Sequence, residues 1–202
     1  MPGLFLYQFR TTDTARKTQT GINFCPVCTL CLMHASSLKC IQFSIFLNTK
    51  FSVLRHTNIY GPHDKFENPN AHFMSSVISR SKYASKKLVV WGDGKEKRDF
   101  LYIEDLCSAI NNIMKKQNTK FDLVNVSYGK AFSVRNIVEK IKIIMGKNYG
   151  IFFDRKKPNI KIDILIDNSK MIKKYKWKPK FSIENGIKKT VFWYLNNFKI
   201  FQ

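Results

Sequence analysis

The sequence predicts an α/β fold from residue 49 onward, and three observations carry that reading. Short apolar runs bounded by Gly, Pro or Asn alternate with segments of helical periodicity. Each helical segment shows one apolar stripe with polar residues elsewhere. No internal repeat is visible, so the alternation describes layers of one fold rather than an array.

Residues 1–48 form a segment of different character, with irregular turn signals, poor helical periodicity and few charges. Residues Phe51 to Tyr60 read as one buried strand closed by the Gly61-Pro62 turn. A helix is expected over His72 to Tyr83, with Phe73, Val77 and Ile78 as its stripe. Leu88 to Trp91 is a short strand broken by Gly92-Asp93-Gly94, and Phe100 to Ile103 is a further extended piece. Glu104 and Asp105 open a helix carrying Leu106, Ala109, Ile110 and Ile113; acids in a first turn suit the positive end of the helix dipole.

Phe121 to Val126 is a strand. Ser133 caps the next helix, whose apolar face is Val134, Ile137, Val138, Ile141, Ile144 and Met145, and Gly146 stops it. Ile151 to Phe153 is strand-like, and Asp167 or Ser169 caps a short helix that ends before Trp177 and Pro179. Ser182 starts the last helix, with Ile183, Ile187, Val191 and Tyr194 on one face.

The charge balance is strongly basic, with 35 Lys and Arg against 14 acids and a net charge of +21. Such an excess suits nucleic acid, an anionic membrane or a phosphorylated small molecule. The lysines are dispersed among Asn and Ile over the helices, without an Arg patch interleaved with aromatics, so no nucleic-acid partner is expected. The apolar span from Ile22 to Leu47 is interrupted by His34, Lys39, Gln42 and several serines, and no membrane association is expected. Five cysteines and no clear signal peptide argue against a secreted disulfide framework. Cys25, Cys28, Cys31 and His34 have ligand-like spacing, but their neighbours are apolar and no second pair follows. We read the cluster as a coincidence of composition and expect no metal, with a metal-binding protein as the alternative.

Several stretches in one order then narrow the reading. They are Arg55–Pro62 (RHTNIYGP), Val90–Gly94 (VWGDG), Arg98–Asp105 (RDFLYIED), Asp167–Lys170 (DNSK), Trp177–Lys180 (WKPK) and Gly186 through Tyr194. Together they resemble the C-terminal part of the extended short-chain dehydrogenases/reductases, the NAD-dependent epimerase/dehydratase family acting on nucleotide sugars. Asn58 to Phe66 with Ala71 and His72 is most similar to the GDP-L-fucose synthase branch. The resemblance implies that residues 49–202 are the C-terminal, mainly substrate-binding part of a Rossmann-type NAD(P)-binding fold. It also implies NADP(H) as cofactor, a nucleotide-sugar substrate with a GDP-sugar favoured, a homodimer and a cytoplasmic location. In that branch the enzyme epimerises and then reduces GDP-4-keto-6-deoxymannose.

Residue by residue, the resemblance implies that Arg98 grips the substrate diphosphate, a task suited to a planar, always-charged guanidinium. A surface arginine paired to Asp99 or Glu96 is the plainer reading. Trp91 matches a substrate-contacting position, against a core tryptophan closing its strand. Arg80 matches a second basic contact and Lys157 a third. His72 matches a proposed acid/base, and an imidazole can both remove and return a proton beside a ketone, worth ~100- to 10,000-fold. A histidine that merely caps its helix is the alternative. His56, Thr57, Asn58 and Ile59 match the strand end that borders the cofactor, with His72 beside it, where α/β sheets place ligands.

Departures from the family are equally clear. No Gly-rich turn of the kind that lets backbone N–H groups meet a pyrophosphate occurs in the chain. The positions expected for the catalytic Tyr and Lys hold Thr29 and Met33, and the Tyr83/Lys87 pair follows the wrong motif. The expectation is therefore a truncated enzyme that does not reduce its substrate alone. The alternatives are a non-catalytic nucleotide-sugar binding module and another NAD-dependent sugar epimerase/dehydratase.

Overall fold

A computed structural model of the chain describes residues 3–8, 41–42, 45–46, 50–157 and 163–197. Among these residues, three small sheets organise the fold. Strands β1 (Gly3–Gln8), β2 (Phe51–His56) and β6 (Phe121–Val126) pair in parallel in the order β1-β2-β6. Strands β3 (Asn58–Tyr60), β5 (Lys97–Tyr102) and β7 (Ala131–Ser133) form the second, parallel between β3 and β5 and antiparallel between β5 and β7. Strands β4 (Lys87–Trp91) and β8 (Gly150–Asp154) make a parallel pair.

The single strand expected over Phe51–Tyr60 is two strands in two sheets. Thr57 N donates to Val126 O at 3.2 Å, extending the β2–β6 ladder by one bond. The Thr57 hydroxyl and the Asn58 amide then donate to the Asp99 carbonyl, at 2.8 and 2.9 Å. Those two bonds steer the chain onto β5, where Asn58 pairs with Phe100. An apolar pattern cannot show such a switch, because neither half is bounded by a turn residue at Thr57.

Among the described residues the sheets are covered by helices α1 (Phe73–Tyr83), α2 (Ile103–Lys116), α3 (Val134–Ile144), α4 (Ser169–Lys173) and α5 (Ile183–Asn197). Their starts follow the sequence signals closely. The Ser133 hydroxyl accepts Asn136 N at 3.2 Å and the Ser182 hydroxyl accepts Asn185 N at 3.2 Å, so both helices are N-capped. Gly146, with φ +62°, takes the left-handed position that ends the α3 segment. The short helix expected after Asp167 stops at Lys173; Lys176, at φ +52°, reverses the chain, and Trp177 N returns to Met171 O at 3.1 Å.

Strand β5 feeds two cores, since successive side chains point to opposite faces. Phe100 joins Val77, Ile78, Leu88, Ile137, Ile187 and Tyr194 between α1, α3 and α5. Leu101 joins Leu54, Leu106, Ile113, Val124 and Trp177 beneath α2 and α4. Each fully buried aliphatic side chain contributes about 1.5–3 kcal/mol by leaving water. Buried acids moor the chain as well. Asp105, buried at the start of α2, accepts Lys180 N at 2.8 Å and Phe181 N at 3.1 Å and so moors the chain entering α5. Asp122 on β6 gathers Lys170, Lys174 and the Tyr175 hydroxyl from the α4 region.

Gly186 lies where α5 crosses β3. A Cβ there would run into the hydroxyl of Tyr60 and crowd the Tyr102 ring. Gly186→Ala is therefore expected to destabilise the chain by about 1–3 kcal/mol despite alanine's better helix propensity, read from the urea midpoint.

Candidate functional site

The site grows from the loop between β3 and α1. His63, at φ +62°, lays its ring against Trp193 with centroids 4.4 Å apart, and Phe66 stacks beneath Trp193 and Tyr194. These contacts hold Asp64 between them, and Asp64 Oδ1 lies 3.0 Å from His72 Nδ1. An ionised carboxylate only accepts, so Nδ1 carries a proton, and in the neutral ring the lone pair is then on Nε2. The His72 side chain is one-third exposed and that of Asp64 only 13%. His72 does occupy the N-cap position of α1, yet its side chain makes no capping bond; its carbonyl instead accepts Ser76 N at 2.8 Å. The ring is thus committed to the carboxylate rather than to the helix end.

The neighbouring residue links this pair to the arginine. The Arg98 guanidinium lies over the Phe73 ring, 5.5 Å from its centroid, and its Nη2 stands 3.7 Å from Glu96 Oε1. Arg98 is mostly buried, and burial lowers its pKa, with Glu96 opposing the shift. It therefore differs from a surface arginine with a solvated carboxylate, although Glu96 is the partner. Glu96 is itself buried, and its Oε2 has no hydrogen-bond partner among the described residues.

Trp91 closes β4 with 57% of its surface exposed, which removes the reading of a core tryptophan. Lys157 brings its ammonium to 5.9 Å from the Trp91 ring centroid, so two expected contacts stand together. Gly92 and Gly94, at φ +92° and +74°, form the tight turn between β4 and β5. Arg80 is exposed on α1, where its guanidinium donates to Val89 O at 2.9 Å and to Ser76 O at 3.2 Å, fastening the helix to β4.

A separate cleft of about 320 Å³ opens at the carboxyl ends of β2 and β6. His56, Thr57 and Asn58 line it with Arg55, Asn125 and Asp167, whereas Ile59 packs against the core beneath α2. This is where ligands bind in parallel α/β sheets. The His56 ring contacts Thr57 O at 2.9 Å through Nδ1, and burial lowers its pKa.

Tyr83 and Lys87 are both exposed, at the end of α1 and the start of β4. Cys25, Cys28, Cys31 and His34 lie outside the described residues. Among the described residues no group of three or more His, Cys, Asp or Glu could hold a metal ion, and no helix is long and apolar enough to cross a membrane. Sequence reasoning missed Asp64, and it offered Glu96 as a partner of Arg98 only in a surface pair. Asp64 stands eight residues before His72, a spacing with no periodic meaning across a loop, and Glu96 sits in a charged turn that reads as solvated surface.

Comparison with known proteins places this architecture. Residues 42–127 match the NAD dependent epimerase/dehydratase family. The particular relatives are nucleotide-sugar enzymes. The chain is 33% identical over 145 residues to the probable GDP-L-fucose synthase 1 of Oryza sativa subsp. japonica, covering 70% of this chain and 44% of that protein. It is 30% identical over 153 residues to the GDP-L-fucose synthase of Escherichia coli (strain K12), again over 70% of this chain and 47% of the other. The chain therefore spans about half the length of the curated relatives it matches. A GDP-L-fucose synthetase from Naegleria fowleri bound to NADP shares the fold at a TM-score of 0.78 and 18% identity, over 97% of this chain and 66% of that one. A UDP-N-acetylglucosamine 4-epimerase from Methanobrevibacter ruminantium M1, in complex with UDP-N-acetylmuramic acid, does so at 0.74 and 22%, over 96% and 63%.

The lowered pKa of His56 sets a pH dependence. A histidine harder to protonate when folded leaves stability intact above its unfolded value of about 6.5 and erodes it as pH falls below that. The His56 ring proton is expected to titrate with a midpoint below 6.5 by NMR, and His56→Gln should flatten the loss of stability between about pH 6.5 and 5.

Proposed function

We propose that these residues form the nucleotide-sugar-binding part of an epimerase/reductase of the GDP-L-fucose synthase type. The observation that carries the reading is that His72, held by Asp64, immediately precedes Phe73, whose ring lies under the Arg98 guanidinium. Arg98 offers a rigid, charged fork to a diphosphate. Trp91 and Lys157 supply an exposed aromatic face and an ammonium for the same substrate. His72, with its lone pair on Nε2, takes the proton from a C–H beside the sugar ketone, and Asp64 stabilises the imidazolium that results.

NADP(H) is the cofactor this reading implies for the whole enzyme. When bound, it supplies the hydride that reduces the ketone. The cleft beside His56, Thr57 and Asn58 suits the edge of such a ligand, but these 202 residues contain no Gly-rich turn for its pyrophosphate. The purified chain is therefore expected not to consume NADPH with GDP-4-keto-6-deoxymannose. The same lack supports a second reading, a nucleotide-sugar binding module without chemistry.

Two measurements separate the readings. Calorimetry should show GDP-mannose binding that weakens about 10- to 100-fold in Arg98→Ala, the worth of charge-assisted hydrogen bonds. Absence of binding by the unaltered chain removes both readings. Solvent deuterium should then enter GDP-4-keto-6-deoxymannose beside its ketone, and His72→Ala should abolish that exchange. Binding without exchange leaves the module.

A further inference from the structure

We propose that Glu96 is the built-in competitor of the substrate for Arg98, so that anion binding there requires Glu96 to take up a proton. The inference rests on the reading of Arg98 as the diphosphate anchor.

The Glu96 side chain is only 4% exposed and faces Arg98 at 3.7 Å, a separation too long for a strong hydrogen bond. Its other oxygen, Oε2, is buried with no hydrogen-bond partner among the described residues. A buried carboxylate oxygen left unpaired is costly; the ionised form is held here by the backbone N–H of Glu96 itself and then by the charge of Arg98, with the Gly94 N–H adding to them. Other charged groups around it do not replace that partner. Asp93, in the turn before it, repels the ionised form. On α3, Val134 N donates to the Glu96 carbonyl rather than to its carboxylate, and the Arg135 guanidinium lies over the Phe153 ring, 4.2 Å from its centroid. Beside β7, Lys130 is drawn to the Phe132 ring. At the start of α1, His72 is paired to Asp64. Burial already raises the pKa of Glu96, against its own backbone N–H and the charge of Arg98.

A diphosphate that claims the Arg98 guanidinium removes the stabilising charge and sets two negative groups side by side. The carboxyl then takes one proton from solvent, becomes neutral and turns from repelling the phosphate oxygens to donating to them. Arg98 keeps its charge throughout. Affinity must consequently fall as pH rises, by up to about tenfold per pH unit for one proton taken up. Glu96→Gln, isosteric and permanently neutral, should bind more tightly at high pH and lose the pH dependence.

The test is calorimetry of the full chain with GDP-mannose, whose diphosphate has no group titrating near neutrality. It is run in two buffers of different ionisation enthalpy at several values between about pH 6 and 8.5. Proton uptake that peaks within this range and vanishes in Glu96→Gln supports the proposal. Binding without uptake, or uptake that persists in Glu96→Gln, overturns the proposal while leaving Arg98 as the anchor. Absence of binding overturns the anchor itself and the proposal with it. The slope of affinity against pH in the unaltered chain counts the same proton without relying on a variant's folding.

Discussion

Every polar group of Asp99 is used, and two of the three sheets meet through it. Its backbone N–H donates to Ile164 O at 3.0 Å, and its carbonyl accepts the Thr57 hydroxyl and the Asn58 amide. Its carboxylate, fully buried, accepts Tyr128 N at 3.0 Å and Gly129 N at 2.9 Å. One residue thus fixes the crossing from β2 to β3, the chain leaving β6 and the strand that carries Arg98. Burial pushes its carboxyl up to about 6, against the pull of the two N–H donors.

The consequence for the site is positional. Arg98 adjoins Asp99, so its guanidinium starts from a backbone held on both sides, with Phe132 and Ile164 as strand neighbours. A long, flexible side chain loses less entropy on ordering when its base is fixed and its stem packs on an aromatic face. The same holds for His72, whose ring is held by Asp64 from a loop pinned by His63 and Phe66. The exposed pair Trp91 and Lys157 is less firmly held, resting on one cation–π contact.

The elements were legible where a periodic stripe met a cap: α3 between Ser133 and Gly146 and α5 after Ser182 stand where their signals lie. The β2–β3 break was not, because it depends on side-chain bonds to a carbonyl about forty residues away. Strand β7, three residues long, offers too short a pattern to read. In the site, His72, Arg98, Trp91 and Lys157 were named from the sequence through resemblance alone. Asp64, the partner of His72, was not, and Glu96 was named beside Arg98 only as one side of a surface pair, since a carboxylate's burial is a product of the fold. The exposure of Trp91 was likewise undecidable without the turn of Gly92 and Gly94 that presents it.

The central claim is that the Arg98 region, rather than the lysine-rich surface at large, receives the nucleotide sugar. Nitrogen-15 NMR of the chain titrated with GDP-mannose tests it most directly. Saturable shifts should centre on the Arg98 side-chain N–H, the β5 amides around it and Trp91. Non-saturating shifts spread over the exposed lysines, with the Arg98 resonance unmoved, would contradict the account.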